Sequence, residues 1–160
     1  MTDTYTKPKA MLNDPTVIIT TDGSVGPGNP GQHGGWAALL GVPGDVNTFL
    51  EGEYVAGKPA VTNNQMELIA FLEGIRIAKT KKPWKKLPYL IVSDSEYAIG
   101  VAGGTKIARL NLQIIAEIQT EIDSHKPGVS FRWVKSHSGD GANELVDKYA
   151  RELMRSGYKP

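Results

Sequence analysis

The sequence contains no cysteine, which excludes disulfide staples, thiolate-metal sites and cysteine nucleophiles together. It has no apolar run approaching the length of a bilayer span. The opening stretch, MTDTYTKPKAMLND, lacks the apolar centre of a secretory signal. The expectation is therefore an intracellular, cytoplasmic protein without a membrane partner. Net charge is only +1, so no global basic field announces a nucleic-acid partner, and a tight non-specific binder is disfavoured. Internal repeats and low-complexity segments are also missing. Met1 and the full set of elements described below lead us to expect a chain not cut from a larger one.

What is present suits one domain. The chain has 160 residues, 40% hydrophobic content sufficient for a core, and an ordinary 22% of charged residues. Residues 1–15 read as a polar tail, residues 16–156 as the folded domain and residues 157–160 as a short C-terminal tail.

β-branched residues predict a strand over residues 16–22. The Gly- and Pro-rich stretch 25–35 reads as a loop. Residues 35–41 and 47–55 read as two further strands joined by a turn through Val42-Pro43-Gly44-Asp45, and short links predict an antiparallel meander. Residues 64–80 are helical, with Leu68, Leu72 and Ile75 on one face and Ile69 and Phe71 elsewhere, as in a helix buried on two sides. A fourth strand over residues 87–94 is almost wholly apolar at its centre, as a central parallel strand should be. Helices follow over residues 95–102 and 108–124, the second with Leu110, Ile114, Ile118 and Ile122 four apart. Residues 129–134 alternate as a fifth strand, and residues 142–156 form a last helix with Val146, Ala150 and Leu153 inward. This order indicates an α/β fold with a sheet of mixed direction. The long crossover makes strand four a candidate parallel neighbour of strand one. Asp22 and Asp94 then share the carboxyl edge where open α/β sheets bind ligands.

Four acids stand in short polar signatures. Asp22 lies in Thr20-Thr21-Asp22-Gly23-Ser24, and Glu67 in Thr62-Asn63-Asn64-Gln65-Met66-Glu67-Leu68. Asp94 ends Ile91-Val92-Ser93-Asp94, and Asp147 follows His137 by ten residues. Each has a bland reading. Asp22-Gly23 is a turn signal, Asp94 can cap the next helix, Glu67 fits a capping box with Asn64, and Asp147 can pair with Arg151 one helical turn on. Jointly they point elsewhere, because gathered carboxylates repel one another unless a divalent cation neutralises them.

In this order and with these flanking residues, the four acids resemble type 1 ribonuclease H, and the resemblance covers the chain from Thr16 to Met154. It implies a five-stranded mixed sheet of order 3-2-1-4-5 flanked by helices. It also implies an endonuclease that hydrolyses the RNA strand of RNA–DNA hybrids, leaving 5′-phosphate and 3′-hydroxyl ends. Two Mg²⁺ ions per site, with Mn²⁺ as a substitute, would be held by Asp22, Glu67, Asp94 and Asp147. Hydrolysis of a phosphodiester needs an activated water, an in-line approach and a stabilised leaving oxygen, which such a metal pair supplies. By the same resemblance, His137 serves proton transfer or product release from the flexible loop Lys135-Ser136-His137-Ser138-Gly139-Asp140-Gly141; a lone loop histidine is otherwise merely solvated.

The resemblance extends to substrate contacts. Asn63 and Asn64 match residues that touch the hybrid, and an amide can both donate to and accept from a 2′-hydroxyl. Thr62 and Asn64 match a pocket for a DNA-strand phosphate. Ser24 and Asn29 match residues near the RNA minor groove. Glu96 stands where several relatives carry Gln and is a further substrate-binding candidate. A monomer is expected.

Two features depart from the family: Glu96 in place of that Gln, and a short link before the long helix. The link Gly103-Gly104-Thr105-Lys106-Ile107-Ala108-Arg109 is too short to hold the basic, tryptophan-containing extension of many members. Lys79, Lys81, Lys82, Lys85 and Lys86 surround Trp84 at the edge opposite the acids, as a solvated turn or as an auxiliary contact for nucleic acid or another partner. The rival readings are a catalytically silent hybrid-binding domain and another nuclease of the same fold.

Overall fold

The computed structural model describes residues 15–137 and 139–158. Most of the expected N-terminal tail (residues 1–14), Ser138 and the last two positions of the C-terminal tail lie outside the described residues. The strands are β1 (Val17–Gly26), β2 (Gly31–Gly41), β3 (Thr48–Val61), β4 (Tyr89–Ser93) and β5 (Val129–Trp133). The helices are α1 (Asn63–Thr80), α2 (Glu96–Ala102), α3 (Leu112–Ser124) and α4 (Gly141–Ser156), with a 3-10 turn at Lys82–Trp84.

These strands form one five-stranded sheet of order β3-β2-β1-β4-β5. β1 is antiparallel to β2 and parallel to β4, and β4 is parallel to β5. The expected order and mixed direction are therefore present. Alternation along β2 divides the two faces. Trp36, Ala38 and Leu40 join Leu68, Phe71 and Ile75 of α1 and Ile115 and Ile118 of α3 in the main core. Ala37 packs on Val146 and Ala150 of α4 on the other face. All five residues of β4 are buried, as a strand covered on both faces requires.

The largest departures from the expected boundaries are three. The stretch 25–35 is mostly strand: Val25 pairs with Gly34 and Gly26 with His33. Gly34 and Gly35 serve close packing. A Cβ on Gly34 would lie 2.6 Å from Met66 Sδ, and one on Gly35 would lie 2.8 Å from the Met154 nitrogen. β3 continues to Val61 rather than ending at 55, since an edge strand tolerates Pro59, which cannot donate to a ladder. α3 begins at Leu112 rather than 108, because Asn111 takes a left-handed conformation at φ 61° and interrupts the helix. Leu110 therefore leaves the apolar stripe and is 74% exposed. Among the described residues, no helix is long and apolar enough to cross a membrane.

Candidate active site

Asp22 lies within β1, opposite Ala37, and is buried. Asp22-Gly23 is therefore not a turn. Gly23 is required for a different reason: a Cβ there would lie 2.6 Å from Met66 Cβ and 2.7 Å from the Glu67 nitrogen. The missing side chain lets the first turns of α1 close onto β1 and brings Glu67 to Asp22. The Gly23 amide also donates to Asp22 Oδ1 at 2.9 Å.

Glu67 is not part of a capping box. That box is made by Thr62 and Gln65: the Gln65 amide donates to Thr62 Oγ1 at 3.1 Å, and the Thr62 amide donates to Gln65 Oε1 at 2.8 Å. Asn64 and Glu67 sit two residues further on, so Glu67 is free for another role. Asp94 is not a cap either. Ser95 caps α2 by accepting from the Ala98 amide at 3.0 Å. Asp94 Oδ2 instead accepts from Ser136 Oγ at 2.7 Å.

Asp22, Glu67 and Asp94 each place a carboxylate oxygen within 4.8 Å of the others, an arrangement that can hold a metal ion. Asp147 lines the same cleft, of about 400 Å³, together with Ser24, Asn63, Ser136, His137 and Arg151. The expected pairing of Asp147 with Arg151 is present, with Arg151 Nη2 donating to Asp147 Oδ2 at 2.8 Å. His137 is exposed on its loop at φ 56°, a left-handed conformation uncommon for a residue with a side chain.

The electrostatics match a cation site. Burial, followed by the negative charge of Asp94, pushes Asp22 up to about 7. Burial and then Asp22 hold Glu67 well above the usual carboxylate range. Glu67 Oε1 is buried with no hydrogen-bond partner. An orphaned carboxylate oxygen in this setting is costly. A divalent cation would satisfy it and relieve the repulsion in one step, and the oxygen-only donor set suits a hard ion.

The expected substrate contacts divide between two places. Ser24 and Asn63 line the acidic cleft. Asn29, Thr62 and Asn64 line a separate groove of about 720 Å³ with Tyr97, Arg109 and Asn111. Asn29 also organises α1, since its Oδ1 accepts from the Asn63 amide at 3.0 Å. Glu96 is exposed in the first turn of α2 and lines neither cavity. Ser136 and Arg151 were not anticipated as cleft residues. Ser136 belongs to the histidine loop, and only folding shows its contact with Asp94; Arg151 reads in sequence as a surface partner of Asp147.

Comparison with known proteins agrees with this architecture. The RNase H family profile matches residues 14–155. Ribonuclease H of Polaromonas sp. strain JS666 is 35% identical over 149 residues, covering 85% of this chain and 86% of that protein. LC11-RNase H1, isolated from compost by a metagenomic approach, superposes with a TM-score of 0.76 at 20% identity, covering 90% of this chain and 99% of that one. LC11-RNase H1 in complex with an RNA/DNA hybrid gives 0.71 at 22% identity, covering 89% and 99%. The solved structures speak for the fold, and the profile with the sequence relative goes further: this chain, with its acids gathered at the carboxyl edge of β1 and β4, belongs to the RNase H family.

Proposed function

We propose that the protein is an endonuclease that hydrolyses the RNA strand of RNA–DNA hybrids and leaves 5′-phosphate and 3′-hydroxyl ends. The observation that carries this reading is the buried, unpartnered Glu67 Oε1 beside Asp22 and Asp94. The choice of substrate rests on the family and on a fold neighbour solved with an RNA/DNA hybrid.

Asp22, Glu67, Asp94 and Asp147 would hold two Mg²⁺ ions, with Mn²⁺ as a substitute. When bound, such a pair supplies an activated water, in-line alignment and stabilisation of the leaving oxygen. The chain's own groups do the remainder. Asp22 is fixed by the Gly23 amide, and Asp94 by Ser136, so their carboxylates are oriented before substrate arrives. Arg151 keeps a guanidinium in a cleft otherwise dominated by acids, where it offsets the charge of Asp147 and faces an incoming phosphate. His137, exposed on its loop, transfers a proton at the leaving 3′-oxygen or assists product release. Asn63 and Ser24 read the RNA strand from the cleft rim. Thr62, Asn64 and Asn29 take the DNA strand and minor groove in the adjoining groove. Residues 16–156 form the catalytic unit, and the protein acts as a cytoplasmic monomer.

The test is cleavage of end-labelled RNA–DNA hybrid, duplex DNA and duplex RNA, each with and without Mg²⁺. Cutting of only the RNA strand of the hybrid, and only with metal, is expected. Cutting of duplex DNA would indicate another nuclease of this fold, and binding of hybrid without cleavage would indicate a silent domain.

A further inference from the structure

We propose that the pole of the molecule opposite the acidic cleft binds the phosphate backbone of a nucleic-acid duplex through Lys82, Lys85, Lys86 and Lys126.

The lysines at this pole fall into two groups. Lys79 and Lys81 are already engaged. Lys79 Nζ donates to Glu121 Oε1 at 2.7 Å, and Lys81 Nζ sits 4.0 Å from the centre of the Phe49 ring. Lys82, Lys85, Lys86 and Lys126 are exposed and form no ion pair among the described residues. Glu121 on α3 is occupied by Arg76 and Lys79.

The fold brings these cations together. The 3-10 turn closes through the Trp84 amide on Lys81 O at 2.9 Å and the Leu87 amide on Trp84 O at 3.2 Å. Lys126 enters from a distant loop. Its neighbour His125 places Nε2 2.7 Å from Leu87 O, and the Tyr89 amide donates to Gly128 O at 2.9 Å. The platform is fixed from below by Trp84, which is buried edge-on against Phe49 at 5.6 Å. A rigid base lowers the ordering cost of binding.

The chemistry of the patch selects its partner. Trp84 is only 5% exposed, so the patch offers neither an apolar anchor for a protein nor a free ring on which unpaired bases could stack. Point charges without a base-reading group suit the phosphates of a duplex, without regard to sequence. From Glu67 to Thr80, α1 rises roughly 20 Å at 1.5 Å per residue. A duplex held at this pole therefore does not compete with one in the cleft. It tethers the enzyme to flanking nucleic acid and raises the local concentration of substrate. Duplex binding at this pole does not depend on the hydrolytic reading, whereas its benefit as a tether rests on it.

The test is fluorescence anisotropy of a long labelled DNA duplex titrated with the full chain over a series of salt concentrations. The proteins compared are wild type and the triple variant Lys82→Gln, Lys85→Gln, Lys86→Gln, with thermal unfolding confirming that the variant is folded. The variant should lower the slope of log Kd against log salt by about 3, with at least about tenfold weaker binding at low salt. Its kcat on a short hybrid should stay at the wild-type value, so loss of hydrolysis and loss of tethering are read separately. An unchanged slope and Kd would overturn the proposal. So would wild-type binding of polyglutamate with no binding of duplex, which would assign the patch to an acidic protein.

Discussion

Asp22 and Glu67 meet across the β1–α1 contact because Gly23 leaves the space for α1 to close. A Cβ at position 23 would meet backbone, 2.7 Å from the Glu67 nitrogen, so a flexible side chain cannot relieve the clash. Gly23→Ala should therefore cost about 1–3 kcal/mol in denaturant unfolding. It should also weaken Mg²⁺ binding by calorimetry, since Glu67 is pushed from Asp22. Wild-type stability and affinity would show that the approach is less tight than described.

The buried pair makes stability depend on pH in a defined direction. Asp22 sits at about 7 in the folded chain against an ordinary 3.8, chiefly through burial, and Glu67 is raised for the same first reason. Between roughly pH 4 and pH 7 the folded state holds protons that the unfolded chain has released. Stability of the metal-free protein should fall as pH rises through that window. In chelator, Tm should drop by roughly 5 °C or more between pH 5 and pH 8, and saturating Mg²⁺ should remove most of the drop. Glu67→Gln should flatten the profile. An equally steep profile in that variant would place the effect elsewhere.

Thr62 and Asn64 should separate cleanly by stability. Thr62→Ala removes the cap that accepts from the Gln65 amide and should cost about 1 kcal/mol. Asn64 is exposed beyond the cap, so Asn64→Ala should stay within about 0.5 kcal/mol while raising KM for the hybrid. Equal losses of stability would mean that Asn64 shares the cap.

Much of this was legible in the chain because the patterns were redundant. The apolar run into β4 and the order of elements both point to a parallel β1–β4 pair, and the four acids share signatures that no single capping or turn rule explains. What was illegible had two competing uses for the same residue. Gly34 and Gly35 serve close helix approach, yet read as loop residues beside Pro27 and Pro30. Thr62 and Asn64 are both good caps, and only hydrogen bonding shows that Thr62 is used. Ser136 reaches Asp94 across 42 residues of sequence, a contact with no local signal.

Glu96 gives a prediction of no effect. It is exposed in the first turn of α2 and lines neither cavity, which favours a bystander over a substrate contact. Glu96→Gln should leave both the Mg²⁺ titration and the KM for hybrid at wild-type values at fixed ionic strength. A lower KM would return Glu96 to the substrate groove.

On the proposed function, the acids at the β1–β4 edge hold the metal that cleavage requires. Asp94→Asn tests it most directly, because the amide keeps the shape and can still accept from Ser136 while the charge is lost. The measurement is the initial rate of RNA-strand cleavage in a labelled hybrid at saturating Mg²⁺. A fall of at least about 10²-fold, in a protein whose thermal unfolding is level with or above wild type in chelator, is the expected result. Near-wild-type cleavage by Asp94→Asn would contradict it.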